Sequence, residues 1–179
     1  YIWNGAIISA LSRGRMYGKS VAKVKNSADF IGLNYYTHVL TSPFLPQTTE
    51  IDLPSRSHEI VTEFGYPMYA EGLQRATKWL KKLNIPIEIT ENGVADGEDK
   101  LRSTHLKRHL WIISDLISTG ADIKSYYHWS LMDNFEWAEG YSMRFGLYHV
   151  NYDNQKRSLR HSGKAVSYTH LTLPTKSSG

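Results

Sequence analysis

Apolar positions in this chain fall into short blocks whose spacing switches between strand and helix periods. The run ADFIGLNYYT (28–37) is aromatic-rich and bounded by polar residues, so it reads as a buried strand. A stretch punctuated by Pro43, Pro46 and Pro54 follows as a loop. YAEGLQRATKWLKKLN (69–84) then places Leu73, Ala76, Leu80 and Leu83 at helical spacing, with Lys78, Lys81 and Lys82 in the last turns. Cations are favoured there by the helix dipole. IPIEITE (85–91) is a second strand, succeeded by the Gly- and Asp-rich NGVADGEDK. Ser103 or Thr104 can cap a second helix in which Leu106, Leu110, Ile113 and Ile117 recur every three or four residues. Gly120 can close it, and IKSYYHWS (123–130) supplies a third strand.

Strands alternating with amphipathic helices predict an α/β fold built of parallel βα units. Open doubly wound sheets and closed (β/α)8 barrels share that order, and both carry their chemistry at the carboxyl ends of the strands. Those ends here are 34–36, 91–92 and 129 onward. No strand is followed by G-x-G-x-x-G or by G-x-x-x-x-G-K, which disfavours a nucleotide-binding sheet and leaves the barrel.

Composition narrows the classes further. The chain of 179 residues is 41% hydrophobic and 12% aromatic, enough for one sizeable core. With no cysteine, disulfides, thiolate metal sites and a cysteine nucleophile are excluded. The net charge of +4 comes from basic residues spread over helix faces, including Lys107 and Arg108, which does not form a nucleic-acid footprint. No apolar run reaches the roughly 18 residues of a membrane span. The first residue is Tyr1, inside a structured-looking YIWNGAIISAL, so a truncated chain is expected. Cytoplasmic is the default compartment, and the oligomeric state stays open.

The tip of the second strand raises the question of chemistry. Strict alternation puts Ile87, Ile89 and Glu91 on one side and Glu88 and Thr90 on the other. Local pattern alone leaves Glu91 as either a solvated loop residue or a positioned carboxylate. HWSLMDNFEWAEGYSMRFGL (128–147) tips the balance. Trp129, Phe135, Trp137, Tyr141 and Phe145 are interleaved there with Asp133, Asn134 and Glu136, on the rim that carries Glu91. Aromatic faces beside carboxylates suit a sugar, although a wrapped core or a partner interface also gathers aromatics. Two carboxylates on one rim point to glycoside hydrolysis, and Glu91 would pair with Glu136 on this reading. His105 and His109 stand at i and i+4 without an intervening acidic residue in the H-E-x-x-H position, so they are expected to be surface or packing residues.

DFIGLNYYT, ITENG and HWSLMDNFEWAEGYSMRFGLYHVNYDNQKR, in that order, make the chain resemble glycoside hydrolase family 1, the β-glucosidase family. The resemblance covers 1 to about 166 and implies the C-terminal part of a (β/α)8 barrel, about strands six to eight, incomplete. It implies that Glu91 is the nucleophile of a retaining enzyme, with Tyr36 hydrogen-bonded to it and Asn34 lining the sugar site. Trp129 matches the platform beneath the sugar ring. Glu136 and Trp137 match the pair that holds the outer hydroxyls, which moves Glu136 from catalytic partner to sugar anchor. Phe145 matches a pocket wall. No metal or organic cofactor is implied, and the partner is a small unphosphorylated β-glycoside or oligosaccharide.

Two departures stand out. The family's acid/base glutamate lies in an Asn-Glu-Pro motif, and this chain contains none. A complete barrel takes about 250 residues, so three recognisable strands cannot close one. After SGKAV the family continues into a helix, but 167–179 (SYTHLTLPTKSSG) is Thr- and Ser-rich with no helical period, so the expected domain is 1–166 with a non-native or disordered tail. The chain itself is expected to be inactive, and the alternative is a non-catalytic sugar- or partner-binding relative.

Overall fold

The computed structural model describes residues 2–39 and 56–170; Pro43, Pro46 and Pro54 lie outside the described residues. Helix α1 (Ile2–Arg13) leads into a short antiparallel ribbon, β1 (Arg15–Met16) and β2 (Lys19–Ser20). The chain then enters β3 (Ile31–Asn34), α2 (Glu71–Leu80), β4 (Ile87–Asn92), α3 (Arg102–Ser118) and β5 (Ile123–His128). The three strands form one parallel sheet in the order β3-β4-β5, the arrangement of successive βα units in an unclosed (β/α)8-like barrel. An antiparallel pair, β6 (Tyr148–Val150) and β7 (Arg157–Leu159), and helix α4 (His161–His170) complete the order.

One face of the sheet is packed and the other carries the polar chemistry. Ile89 is buried with Tyr35, Leu73 and Ile113 between β4 and the two long helices. Ala70, Ile112, Leu116 and Ala121 form a second cluster beside it. Burial of a side chain such as Ile89 stabilises the fold by about 2–3 kcal/mol.

The face of Glu91 is not the one that alternation predicts. Gly32 and Asn34 of β3 pair with Glu88 and Glu91, while Tyr126 and His128 of β5 pair with Ile89 and Asn92. Two-residue steps on both neighbours thus meet three-residue steps on β4, which is a β-bulge. The extra residue returns Glu91 to the face of Gly32, Asn34 and Thr90, away from Ile87 and Ile89. Asn92 in turn goes to the packed side, where its amide donates to the Tyr35 carbonyl at 2.7 Å and its oxygen accepts from Tyr126 Oη at 3.0 Å.

Helix α3 departs from its apolar pattern in three ways. Neither Ser103 nor Thr104 caps it; Asp96 accepts the backbone N–H groups of Lys100, Leu101 and Arg102 at 2.8–3.1 Å. Ile117, expected on the buried stripe, is 48% exposed, and Leu116 is buried instead. Arg102, His105 and His109 share the buried face with Leu106, Ile112 and Ile113. The helix ends as anticipated at Gly120, whose φ of 82° permits the Gly120 N–H to reach Ile117 O and the Ala121 N–H to reach Leu116 O.

Helix α4 takes in 167–170, which the sequence pattern assigns to an irregular tail; 171–179 lie outside the described residues. Its start is anchored by Ser162, whose N–H and Oγ both donate to Asp99, and Asp99 also receives Arg102.

Candidate active site

The carboxyl ends of β3, β4 and β5 converge on one carboxylate. Tyr36, just past β3, donates its hydroxyl to Glu91 Oε2 at 2.8 Å. Burial first, and then the Glu91 carboxylate, raise the Tyr36 pKa, so the phenol remains a protonated donor at any physiological pH. Beside it, Asn34 Oδ1 accepts from Thr90 Oγ1 at 2.6 Å, which fixes the asparagine at the strand end. Gly93 follows immediately, and a Cβ there would overlap the Trp129 carbonyl oxygen. This close approach, with Trp129 N–H donating to Asn92 O at 3.0 Å, draws the segment after β5 against the tip of β4.

That segment brings the second carboxylate. Trp129 Nε1 donates to Glu136 Oε1 at 3.0 Å. Burial raises the Glu136 pKa above the ordinary carboxylate value, the Trp129 indole opposes this, and the charge of Glu91 adds to the rise. The two carboxylates thus lie near enough for the charge of one to act on the other. Phe145 is buried edge-on to Tyr36, with ring centroids 6.1 Å apart, and forms a wall behind the pair. Trp137 differs from the rest. It is 85% exposed, at a φ of 48°, and its ring projects from the rim into solvent.

The loop of Glu136 is held by an ion-pair hub that the sequence pattern did not single out. Asp133 is buried and accepts Arg160 Nη1 and Nη2 at 2.8 and 3.0 Å, together with the N–H groups of Gly146 (2.9 Å) and Val150 (3.1 Å). Burial works against its charge, but Arg160 and the two amides outweigh that and hold its pKa below the ordinary value. Asp133, grouped by sequence with the rim's polar residues, is thus a structural anchor. Tyr66 and Phe64 were also missed; their rings lie tilted with centroids 4.7 Å apart, and Phe64 meets Phe145 edge-on at 5.8 Å. GYP gives no sign of that long-range contact. His105 and His109 stack with centroids 4.0 Å apart inside the fold. Among the described residues, no group of three or more His, Cys, Asp or Glu is placed to hold a metal, and no helix is long and apolar enough to cross a membrane.

A parallel βα sheet with a tyrosine-bound carboxylate and a Trp-bound carboxylate on its carboxyl rim has the layout of a (β/α)8-type sugar-processing site. Comparison with known proteins agrees. The sequence model of Glycosyl hydrolase family 1 matches residues 14–172. A β-glucosidase of Agrobacterium sp. is 37% identical over 170 residues, covering 87% of this chain and 37% of that protein. Beta-glucosidase A of Thermotoga maritima is 38% identical over 163 residues, covering 82% and 35%. Among solved structures, the family 1 β-glucosidase of Thermotoga maritima superposes with a TM-score of 0.78 at 30% identity, covering 95% of this chain and 44% of that one. The same enzyme in complex with glucoimidazole gives 0.79 at 30% identity, covering 93% and 43%. The chain belongs to glycosyl hydrolase family 1, and it spans about a third of the length of these curated relatives.

Proposed function

We propose that this chain supplies strands six to eight, the C-terminal part, of the barrel of a retaining β-glycosidase. Glu91 attacks the anomeric carbon of a terminal, unphosphorylated β-D-glycoside, and the leaving oxygen takes a proton from a carboxylic acid that this chain does not contain. Water then attacks the glycosyl-enzyme ester and releases the sugar with its configuration retained. Tyr36 orients the nucleophile and remains its hydrogen-bond donor. Asn34 and Trp129 line the sugar, with Trp129 beneath its ring. Glu136 and Trp137 take the outer hydroxyls, Trp137 by turning inward from its exposed position, and Phe145 closes the wall. The domain is 1–166 in this reading, with the remaining residues outside the catalytic fold.

The observation that carries the proposal is the 2.8 Å hydrogen bond from Tyr36 to Glu91 at the bulged tip of β4. The capture of glucoimidazole by the related Thermotoga maritima β-glucosidase supports a small sugar as the ligand class. The test is hydrolysis of an aryl β-glucoside by this chain beside a longer protein from the same gene that includes the preceding strands. Activity in the longer protein alone, lost on Glu91→Gln, is the expected result. Inactivity of the folded longer protein on glucosides, galactosides and fucosides would overturn it in favour of a sugar- or partner-binding role.

A further inference from the structure

The outer surface of the helices carries a second hollow that the rim chemistry does not use. It is a shallow depression of about 470 Å³, open to solvent, between α2 and α3 and is lined by Glu71, Gln74, Lys107, Arg108, Trp111 and Ile112. Trp111 is 69% exposed beside it, while Ile112 is buried beneath. Glu71 and Arg108 close one side with an inter-helix ion pair at 2.9 Å. Gln74 and Lys107 make no side-chain hydrogen bond or ion pair among the described residues, so their amide and ammonium groups are free to meet a ligand.

The combination selects a chemistry. An indole face accepts an apolar surface, Gln74 can both donate and accept, and Lys107 donates. A phosphate or a sulfate would meet the Glu71 carboxylate as well as the two cations. A docked peptide helix needs a row of apolar anchors at i, i+3, i+4 and i+7, and this hollow exposes one large aromatic. A neutral sugar presents both a CH face and a ring of hydroxyls, which matches the indole and the free polar heads together.

We infer that the hollow between α2 and α3 is a second carbohydrate site, which takes one or two pyranose units of a neutral β-linked oligosaccharide with Trp111 as the stacking surface. The choice of β-linked chains rests on the proposed function, whereas the site itself does not. Gln74 and Glu71 lie in the first turn of α2, and Lys107 to Trp111 lie in the second and third turns of α3. Both helices begin at the carboxyl ends of the strands, so the hollow sits on the rim half of the helical layer. A polymer held there remains attached to the protein while its chain end is processed.

The experiment follows the Trp indole N–H resonances of the 179-residue chain, which alone is not expected to hydrolyse glycosides, during titration with cellotetraose. Trp111→Phe assigns the resonance. The expected result is a saturable shift of the Trp111 signal at millimolar cellotetraose, with binding, measured in parallel by isothermal titration calorimetry, weakened about tenfold or more by Trp111→Ala and also reduced by Gln74→Ala. Far-UV circular dichroism must show both variants folded. A Trp111 signal unmoved by cellotetraose, or moved instead by inorganic phosphate, overturns the inference. Aryl β-glucoside hydrolysis by the longer protein reads the rim alone, so the two proposals fail separately.

Discussion

Replacing Asp133 by Asn tests whether the rim is held by a buried ion pair. The Asp133 side chain is fully buried, and its carboxylate receives both arms of the Arg160 fork and two backbone N–H groups. Asn conserves volume but removes the charge and turns one acceptor oxygen into a donor facing other donors. Arg160 would keep the Gly146 carbonyl, which it now reaches at 2.6 Å, as its strongest remaining partner. Breaking a buried pair from one side costs about 3–5 kcal/mol, because the remaining charge is stranded away from water. Urea unfolding of the chain followed by circular dichroism should therefore show an unfolding free energy lowered by that amount, read as a lower midpoint at unchanged m-value. The folded Asp133 pKa lies below its ordinary value, so this stabilisation is complete above the unfolded pKa of about 4 and is lost as pH falls through the lower folded value. The wild-type advantage over Asp133→Asn should accordingly shrink in strong acid. A difference under about 1 kcal/mol at neutral pH would refute the reasoning, because it would rank this pair with exposed ones.

Three further outcomes follow from the same geometry. His109 and His128 are buried with pKa values pushed down to about 4, chiefly by burial, so the unfolded chain binds more protons than the folded one between pH 6.5 and 4. Unfolding free energy should fall across that window, by up to the order of 3 kcal/mol per histidine, and a flat urea midpoint from pH 7 to 4 would contradict it. Gly93→Ala should destabilise the chain by about 3 kcal/mol or more, since the Trp129 carbonyl leaves no room for a methyl group; an unchanged thermal midpoint would count against the close approach. In the longer protein, Tyr36→Phe should lower kcat/KM on an aryl β-glucoside by roughly tenfold to a hundredfold, and a variant as fast as wild type would show the hydrogen bond to be idle.

Much of this architecture could be read before the fold was seen. Ile87 and Ile89 alternate as a half-buried strand must, and Leu106, Leu110 and Ile113 recur at helical spacing, so the βα order was legible. The face of Glu91 was not, because a bulge is a property of pairing with β3 and β5 and leaves no mark in β4 alone. Stripe reading on apolar residues placed Leu106 and Ile113 correctly in α3 but could not find Arg102, which is wholly buried with its two terminal nitrogens held by Asp99, the Asp96 carbonyl and the Arg144 carbonyl. Arg144 is 42 positions away, and no local window contains it. The same holds for Asp133 and Arg160, separated by 27 residues. Glu91 and Glu136 stand out in the sequence as carboxylates on the strand-end rim, whereas Tyr36 is singled out only by the family resemblance, and the fold adds the hydrogen bond that joins Tyr36 to Glu91.

If Glu91 is the nucleophile, a slow substrate will leave a trapped ester on its carboxylate. The longer protein would be incubated with a 2-deoxy-2-fluoro-β-glucoside bearing an activated leaving group, then digested and mapped by mass spectrometry. One fluoroglycosyl unit is expected on the peptide that contains Glu91, and none after Glu91→Gln. Label on Glu136 or on another carboxylate, or turnover of the aryl glucoside undiminished in Glu91→Gln, would contradict it.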